Sequence, residues 1–550
     1  MFFFDFKGKN NMLFCNSSSL SPGARRILGF GERLFSPENR ARSIVALAFL
    51  VGFFLHFRNL DGARILNPDE ERAYSMLPSG PFIYLLCRPL FLLTRAEDSG
   101  FYVAATLGFV SIILFYFISR MLMDKWDSAI STLVFAVFPA RISYARTLFP
   151  SVFIDFFILL MGLLVIAALI RKKEKEAILA GLLSMVLVAV HPSVYFMLSG
   201  FGMALALLWL FNREFLSLKK ILIGGIMFVL GLIAGYFLLE LIFRMLREGY
   251  SFLGQFFEAY STASDYSDVY TVSGGLKSFF GHLWMVIFSS PLSVFRAFYV
   301  FSAVGFAFRT FFAKKKEPVF YFLVYACSGL GFFLVGNILG AHRGFEYRNL
   351  IWLCPVISWC VGYFCVKGVL VRKFAINVII AACTAIFIIS SFVISYKVTI
   401  ETYKTDMLNE WLRENKIPKK YVVTNLRLRE KGDTEKVSTI PLVLHKEWTK
   451  RDNRYQIVWP LVHKYYQIGR VFYIIPSGIG GHSHLEEGDV LFEGVAPVKS
   501  WPHPYASFGY RFPFRNKADM PYEPEINVYK LSDIFDRARP IFNKSISTKR

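Results

Sequence analysis

Long apolar runs recur through most of this sequence, and they constrain its fold more than any other feature. Roughly eleven of these runs precede residue 396. Several are close in length to the about 20 residues that a helix needs to cross a bilayer. The sequence therefore predicts a polytopic α-helical membrane protein. The predicted spans are 43–57, 101–119, 127–140, 150–170, 177–190, 193–211, 221–243, 294–312, 318–338, 349–366 and 374–395.

The composition supports a membrane location and argues against a nucleic-acid partner. Only 19% of the 550 residues are charged, whereas soluble globular domains average about 25%. The net charge of +22 comes from Lys and Arg residues that are spread among short loops instead of being gathered on one soluble module. We expect contact with membrane lipids and no binding of nucleic acid.

The loop charges give the membrane domain a direction. If the N-terminal segment 1–42 is cytoplasmic, the basic clusters between later spans also fall inside, as the positive-inside bias requires. The membrane domain is then 43–395 with a large first outer loop, 58–100. This topology needs the short third span, although Pro139 and Arg141 end it early. The membrane is the inner or plasma membrane, or that of the endoplasmic reticulum in a eukaryote.

The tail, 396–550, has a different pattern and is predicted to lie outside the membrane on the extracytoplasmic side. Residues 405–415 are typical of an amphipathic helix. Short β-rich runs follow, separated by polar, Pro or Gly segments, and they lie at 421–424, 471–475, 489–494 and 526–531. These elements predict a small α/β or α+β soluble domain.

Several polar residues fall in the first outer loop or at predicted outer ends of spans, where basic residues run against the positive-inside bias. They are Arg72, Arg141, Arg146, His191, Arg296, His342, Arg343 and Arg348. A bound lipid phosphate would explain the arginines, because a guanidinium matches its geometry. The alternative is ordinary headgroup contact by snorkelling side chains.

Acidic residues complete the candidate site. Asp69 and Glu70 lie in the first outer loop, about a dozen residues after the first span, where a carboxylate could accept a proton from an attacking hydroxyl. Asp155 lies one turn inside the fourth span, where a charge needs a partner, and Arg146 or a water-filled cavity could pair it. His482 and His484 are more typical of exposed histidines than of a metal site.

Three segments together resemble the GT-C superfamily of membrane glycosyltransferases, which use polyprenyl-phosphate sugars. NPDEERAY (67–74) resembles the paired-acid motif of the protein O-mannosyltransferases and aminoarabinose transferases, and more loosely the His-Pro-Asp-Glu motif of the GPI-anchor mannosyltransferases. SYARTLFPSVFIDFF (143–157) is similar to a Tyr-Ser-Arg … Pro-Asp segment, and HRGFEYRNLIWLCPV (342–356) to an Arg-Tyr … Pro helix. The resemblance covers roughly 43–395.

The resemblance implies roles for particular residues. Asp69 would be the catalytic base, and Glu70 would shape the acceptor site or a metal site. Arg146, His342, Arg343 and Arg348 would bind the donor phosphate, while Arg72, Asp155, His191 and Arg296 would contact substrate. Many relatives carry an acid where Ser151 stands here, which leaves Asp155 as the nearest substitute. No cofactor is indicated, and a divalent metal is left open.

The leading hypothesis is an inverting glycosyltransferase. It would move a sugar from a polyprenyl phosphate to a hydroxyl of a lipid, glycan or protein on the outer membrane face. A transporter or flippase of an anionic lipid is the alternative, although such proteins carry charges at mid-membrane and paired repeats that this sequence lacks. A non-catalytic GT-C relative is the third hypothesis, which Ser151 permits.

Overall fold

The structure of the protein is a computed structural model, in which the described helices and strands fall into two sets. The structure describes residues 37–60, 86–87, 89–90, 92–93, 99–146, 150–171, 174–190, 218–246, 251–252, 254, 302, 304, 353–368, 374–400, 405–417, 422–424, 438–439, 472–476, 496, 498–502 and 525–530. Most of these residues up to Ile400 are helical, and the strands begin at Val422.

The helices follow the apolar runs of the sequence. They are α1 (Pro37–Phe57), α2 (Ser99–Leu122), α3 (Lys125–Ala136), α4 (Pro139–Ala145), α5 (Pro150–Arg171), α6 (Glu174–Val190), α7 (Leu218–Leu246), α8 (Leu353–Gly368), α9 (Phe374–Ile400) and α10 (Thr405–Glu414). Predicted spans 193–211, 294–312 and 318–338 lie outside the described residues, apart from Ser302 and Val304, which are helical.

Within the described residues, the helices long and apolar enough to cross a membrane are Asn39–Phe57, Gly100–Leu122, Leu222–Met245 and Val378–Tyr396. Each contains most of a predicted span, so these spans are confirmed as helices of membrane-crossing type. Shorter apolar helical stretches occur at Val152–Val165 and Cys354–Val366. The chain is a multi-pass membrane protein. Its side chains Leu222, Ile226 and Phe237 on α7 are exposed, as expected for a lipid-facing surface.

The predicted third span, 127–140, is wrong as a single helix. The chain there forms α3 and α4, which are separated at Val137 and Phe138. Pro139 has no N–H to continue the ladder but suits the first position of a new helix, so the break falls immediately before it. At about 1.5 Å per residue, α3 is about 18 Å long, whereas the hydrocarbon core is about 30 Å thick. Instead of facing lipid, α3 is almost wholly buried.

Small residues allow the helices to approach one another closely. A Cβ atom on Gly231 of α7 would overlap the carbonyl oxygen of Ile178 on α6, and one on Gly181 of α6 would overlap that of Phe228 on α7. A Cβ atom on Gly362 of α8 would overlap the side-chain Oγ of Ser131 on α3. Such backbone proximity is the usual basis of helix association in membranes, where burial of apolar surface supplies little drive.

The described part of the tail contains α10 and a mixed sheet. The strands are β1 (Val422–Thr424), β2 (Ser438–Thr439), β3 (Phe472–Pro476), β4 (Lys499–Pro502) and β5 (Glu525–Lys530). The sheet order is β2-β1-β3-β5-β4; β1 runs parallel to β2 and β3, whereas β5 is antiparallel to β3 and β4. Three predicted strands and the predicted helix are confirmed. The sequence pattern missed β2 and β4, and the predicted strand 489–494 lies outside the described residues.

Candidate functional site

A buried ion pair joins α4 to α5. Nε of Arg141 donates to Oδ2 of Asp155 at 3.0 Å, and Nη2 of Arg141 donates to the carbonyl oxygen of Gly108 on α2. The guanidinium carbon also lies 4.2 Å from the ring centroid of Phe135. The sequence offered Arg146 or a water-filled cavity as the partner of Asp155, whereas the structure pairs Asp155 with Arg141 on the neighbouring helix. Arg141 itself lies within α4.

His56, near the end of α1, is the third member of this cluster. Its Nδ1 lies 2.6 Å from the carbonyl oxygen of Gly52, and because a carbonyl can only accept, Nδ1 carries a proton. Its Nε2 lies 3.4 Å from Nη1 of Arg141 and accepts from it, so the ring is the neutral Nδ1–H tautomer. All three guanidinium nitrogens of Arg141 thus have partners inside the protein, and Arg141 is occupied by protein contacts.

Arg146 follows α4 and binds the carboxyl end of α1. Its Nη1 donates to the carbonyl oxygens of Leu55 at 3.2 Å and His56 at 3.0 Å, and its Nη2 donates to that of Asn59 at 3.3 Å. The last carbonyls of a helix have no partner within the helix, and they carry its negative dipole end. A buried guanidinium therefore satisfies both the hydrogen bonds and the charge at the point where α1 ends.

The end of α1 also contacts α9. Asn59 has a left-handed backbone with φ 49°, which Asn tolerates better than most residues, and its Nδ2 donates to the carbonyl oxygen of Thr399 at 3.4 Å. The guanidinium carbon of Arg58 lies 4.3 Å from the ring centroid of Tyr396. In addition, Ser395 donates to the carbonyl oxygen of Val137 at the break between α3 and α4, at 2.9 Å. The ends of α1, α3 and α9 therefore meet here.

The structure brings together Arg141, Arg146 and Asp155 of the predicted site residues. The others lie outside the described residues: Asp69, Glu70, Arg72, His191, Arg296, His342, Arg343 and Arg348. Their predicted roles stay predictions. Cys354, near the end of the third resembling segment, lies on α8 and is buried.

Neither His56 nor Gly108 was among the residues that the sequence singled out. His56 carried a usable signal, because an ionisable side chain inside an apolar span is a candidate functional residue by default. Gly108 carried none, since its role depends on the approach of Arg141 from a different helix. Among the described residues, no group of three or more His, Cys, Asp or Glu side chains could hold a metal ion.

No family model matches the sequence, and no curated protein is similar to it at a significant level. Solved structures are similar over much of the chain. ArnT from Cupriavidus metallidurans, bound to undecaprenyl phosphate, is 10% identical with a TM-score of 0.46, covering 80% of this chain and 94% of that one. The oligosaccharyltransferase AglB from Archaeoglobus fulgidus, in complex with an inhibitory peptide and a dolichol-phosphate, is 12% identical with a TM-score of 0.40, covering 70% of this chain and 62% of that one.

Both of these proteins are members of the GT-C superfamily, the class of membrane glycosyltransferase that the sequence motifs resemble. At these identities and TM-scores, neither similarity assigns an architecture or a residue role to this chain.

Proposed function

We propose that this protein is an inverting membrane glycosyltransferase that transfers a sugar from a polyprenyl-phosphate donor to a hydroxyl acceptor. The reaction takes place at the predicted outer face, beside the first outer loop. The acceptor is a lipid, a glycan or a protein. The C-terminal region 396–550 lies on the same side in this proposal and contributes a soluble domain.

One observation carries the proposal. Two of the resembling segments, 67–74 and 143–157, are far apart in the sequence, yet Arg146 of the second hydrogen-bonds the end of α1, from which the chain continues into the first. Asp155 of the second segment is buried in the same cluster through Arg141. A set of charged groups on converging helix ends supports a site, whereas arginines that only snorkel to headgroups would be exposed.

The proposed chemistry is direct displacement at the anomeric carbon. The acceptor oxygen forms a bond to that carbon as the bond to the phosphate oxygen breaks, and the configuration inverts. Asp69 takes the proton of the acceptor hydroxyl, and the polyprenyl phosphate leaves as a stable anion. His342, Arg343 and Arg348 bind that phosphate, so no general acid is required. Glu70 shapes the acceptor site, and Arg72, His191 and Arg296 contact substrate.

The test is sugar transfer by the purified protein in liposomes, with polyprenyl-phosphate sugars as donors and a membrane extract as the source of acceptors. Asp69→Asn should lower turnover by about 100-fold or more, because proton removal by a positioned base contributes about 10²- to 10⁴-fold. Glu71→Gln is the matched control, since it makes the same change of charge two positions away in the same loop. It should retain turnover within about threefold.

Unchanged turnover in Asp69→Asn would remove the proposed base. Movement of a fluorescent polyprenyl phosphate across the bilayer without sugar transfer would instead support the flippase. Tight donor binding with no turnover for any donor would identify a non-catalytic relative.

A further inference from the structure

The turn after α4 places Arg146 where it can control the direction in which the chain leaves α1. The side chain of Arg146 is 2% exposed, and its Nη1 and Nη2 hydrogen bonds go to the backbone carbonyls of Leu55, His56 and Asn59. These acceptors belong to the last turn of one helix and the residue two positions beyond it. A guanidinium that holds such a set of atoms fixes both the axis of the helix and the path of the following backbone.

Other contacts strengthen this anchorage at the same place. Asn59 takes up a left-handed conformation that ends α1, and its side chain reaches the carbonyl of Thr399 on α9. Arg58 lies over the rings of Tyr396 and Phe54, with its guanidinium carbon 4.3 Å and 5.2 Å from their centroids. The residues that precede the first outer loop are therefore tied to α9 as well as to the turn after α4.

The resemblance implies that Arg146 contacts the donor phosphate, but the described contacts favour a different role. Three of the five N–H groups of Arg146 donate to these carbonyls, and the residue is only 2% exposed, so a phosphate could reach it only if the guanidinium left its present contacts. Removing Arg146 from the carbonyls to meet a phosphate would leave the end of α1 without these donors inside the protein, which is costly where water is excluded.

We propose that Arg146 is a positioning residue, which holds the carboxyl end of α1 and thereby sets the geometry of the first outer loop that carries Asp69. The role of Asp69 in this inference rests on the proposed function. The anchorage of the end of α1 by Arg146 does not depend on it. Asp69 is ten residues beyond Asn59, so a shift in the end of α1 moves the start of the segment that bears it. A displacement of about 1 Å at a reacting group can lower turnover about 100-fold.

The experiment compares wild type, Arg146→Gln and Arg146→Lys in nanodiscs. Arg120→Gln is the matched control, because Arg120 is exposed and donates to the carbonyl of Met123 at the other end of α2. Hydrogen–deuterium exchange is followed in peptides that cover 53–60 and the start of the first outer loop. Binding of dolichyl phosphate is measured by titration, and kcat and KM for the donor are measured by sugar transfer.

We expect exchange at the end of α1 to be about tenfold faster in Arg146→Gln and intermediate in Arg146→Lys, since a lysine offers a single donor group for the same carbonyls. We expect kcat to fall about 10- to 100-fold while dolichyl phosphate affinity and donor KM stay within about threefold. Arg120→Gln should leave all four quantities unchanged.

Unchanged exchange at the end of α1 together with a loss of dolichyl phosphate affinity would overturn the positioning role and favour direct phosphate contact. If the wild type transfers no sugar, the proposed function fails, but the exchange measurement still tests the anchorage. Faster exchange in Arg146→Gln would then support the anchor, and unchanged exchange would refute it.

Discussion

Arg141 and Asp155 form an ion pair at 3.0 Å with side chains only 1% and 2% exposed. The carboxylate is not fully satisfied, since its Oδ1 has no hydrogen-bond partner among the described residues. A buried pair of this kind costs desolvation of both charges, which the Coulomb attraction repays only in part. The ion pair therefore serves to fix the positions of α4 and α5 relative to each other more than to stabilise the protein.

This balance predicts an asymmetry between single and double substitutions. Asp155→Leu should destabilise the protein by about 3–5 kcal/mol, because it leaves the charge of Arg141 buried without its partner. Arg141→Met combined with Asp155→Leu should recover most of that loss, since an apolar pair of similar volume needs no desolvation. Thermal unfolding of the variants in one detergent measures the effect. A double variant no more stable than Asp155→Leu alone would contradict this account.

A second prediction concerns the close approach of α1, α2 and α4 at Gly108. A Cβ atom there would lie 2.7 Å from Cβ of Ala145 and 2.8 Å from Cδ2 of His56. Gly108→Ala should therefore destabilise the protein by about 1–3 kcal/mol through overpacking. Gly162→Ala on α5 is the matched control, because nothing lies within 4 Å of its added methyl.

The control should be neutral or stabilising by up to about 1 kcal/mol, as expected for Ala in place of Gly in a helix. Equal melting temperatures for the two variants would show that the ring of His56 moves aside without cost.

A third prediction tests how α8 is attached to α2. Nε1 of Trp359 donates to Oγ of Ser119 at 2.7 Å, and both residues are buried. Ser119→Ala removes this acceptor from the indole N–H and should cost about 1–3 kcal/mol. A double-mutant cycle with Trp359→Phe should give a coupling energy of about 0.5–3 kcal/mol. Strict additivity of the two losses would mean that the hydrogen bond contributes nothing.

The sequence was sufficient to predict most of the helices that the structure describes. Apolar length alone determines where a chain can cross a bilayer, because a helix is the structure that satisfies its own backbone there. The span 43–57 is therefore found within α1, and 374–395 within α9. Runs of this kind depend only on neighbouring residues, which a sequence displays directly.

The errors share a physical cause, which is that they depend on contacts between helices. Sequence spacing could not show whether Arg141 or Arg146 pairs with Asp155, because the two arginines are only five positions apart. The burial of α3 could not be predicted either, since its polar residues Ser128 and Thr132 donate to the backbone carbonyls four residues earlier and need no solvent. The short strands β2 and β4 are fixed by their partners in the sheet and not by their own pattern.

The last prediction concerns the crossing of α6 and α7, where the glycines have different surroundings along a single helix. A Cβ atom on Gly231 would overlap the carbonyl of Ile178, so Gly231→Ala must push the two backbones apart. We expect it to destabilise the protein by about 1–3 kcal/mol. Gly224 and Gly225 lie on the same helix with nothing within 4 Å of an added methyl, so Gly224→Ala and Gly225→Ala serve as matched controls.

Both controls should equal or exceed wild type in melting temperature, because Ala is the better helix former and meets no neighbour. The difference between Gly231→Ala and its controls isolates the helix contact from helix propensity, which changes equally in all three. If Gly231→Ala unfolds at the same temperature as Gly225→Ala, α6 and α7 do not rely on backbone proximity, and their association rests on the surrounding side chains such as Leu239 and Val188.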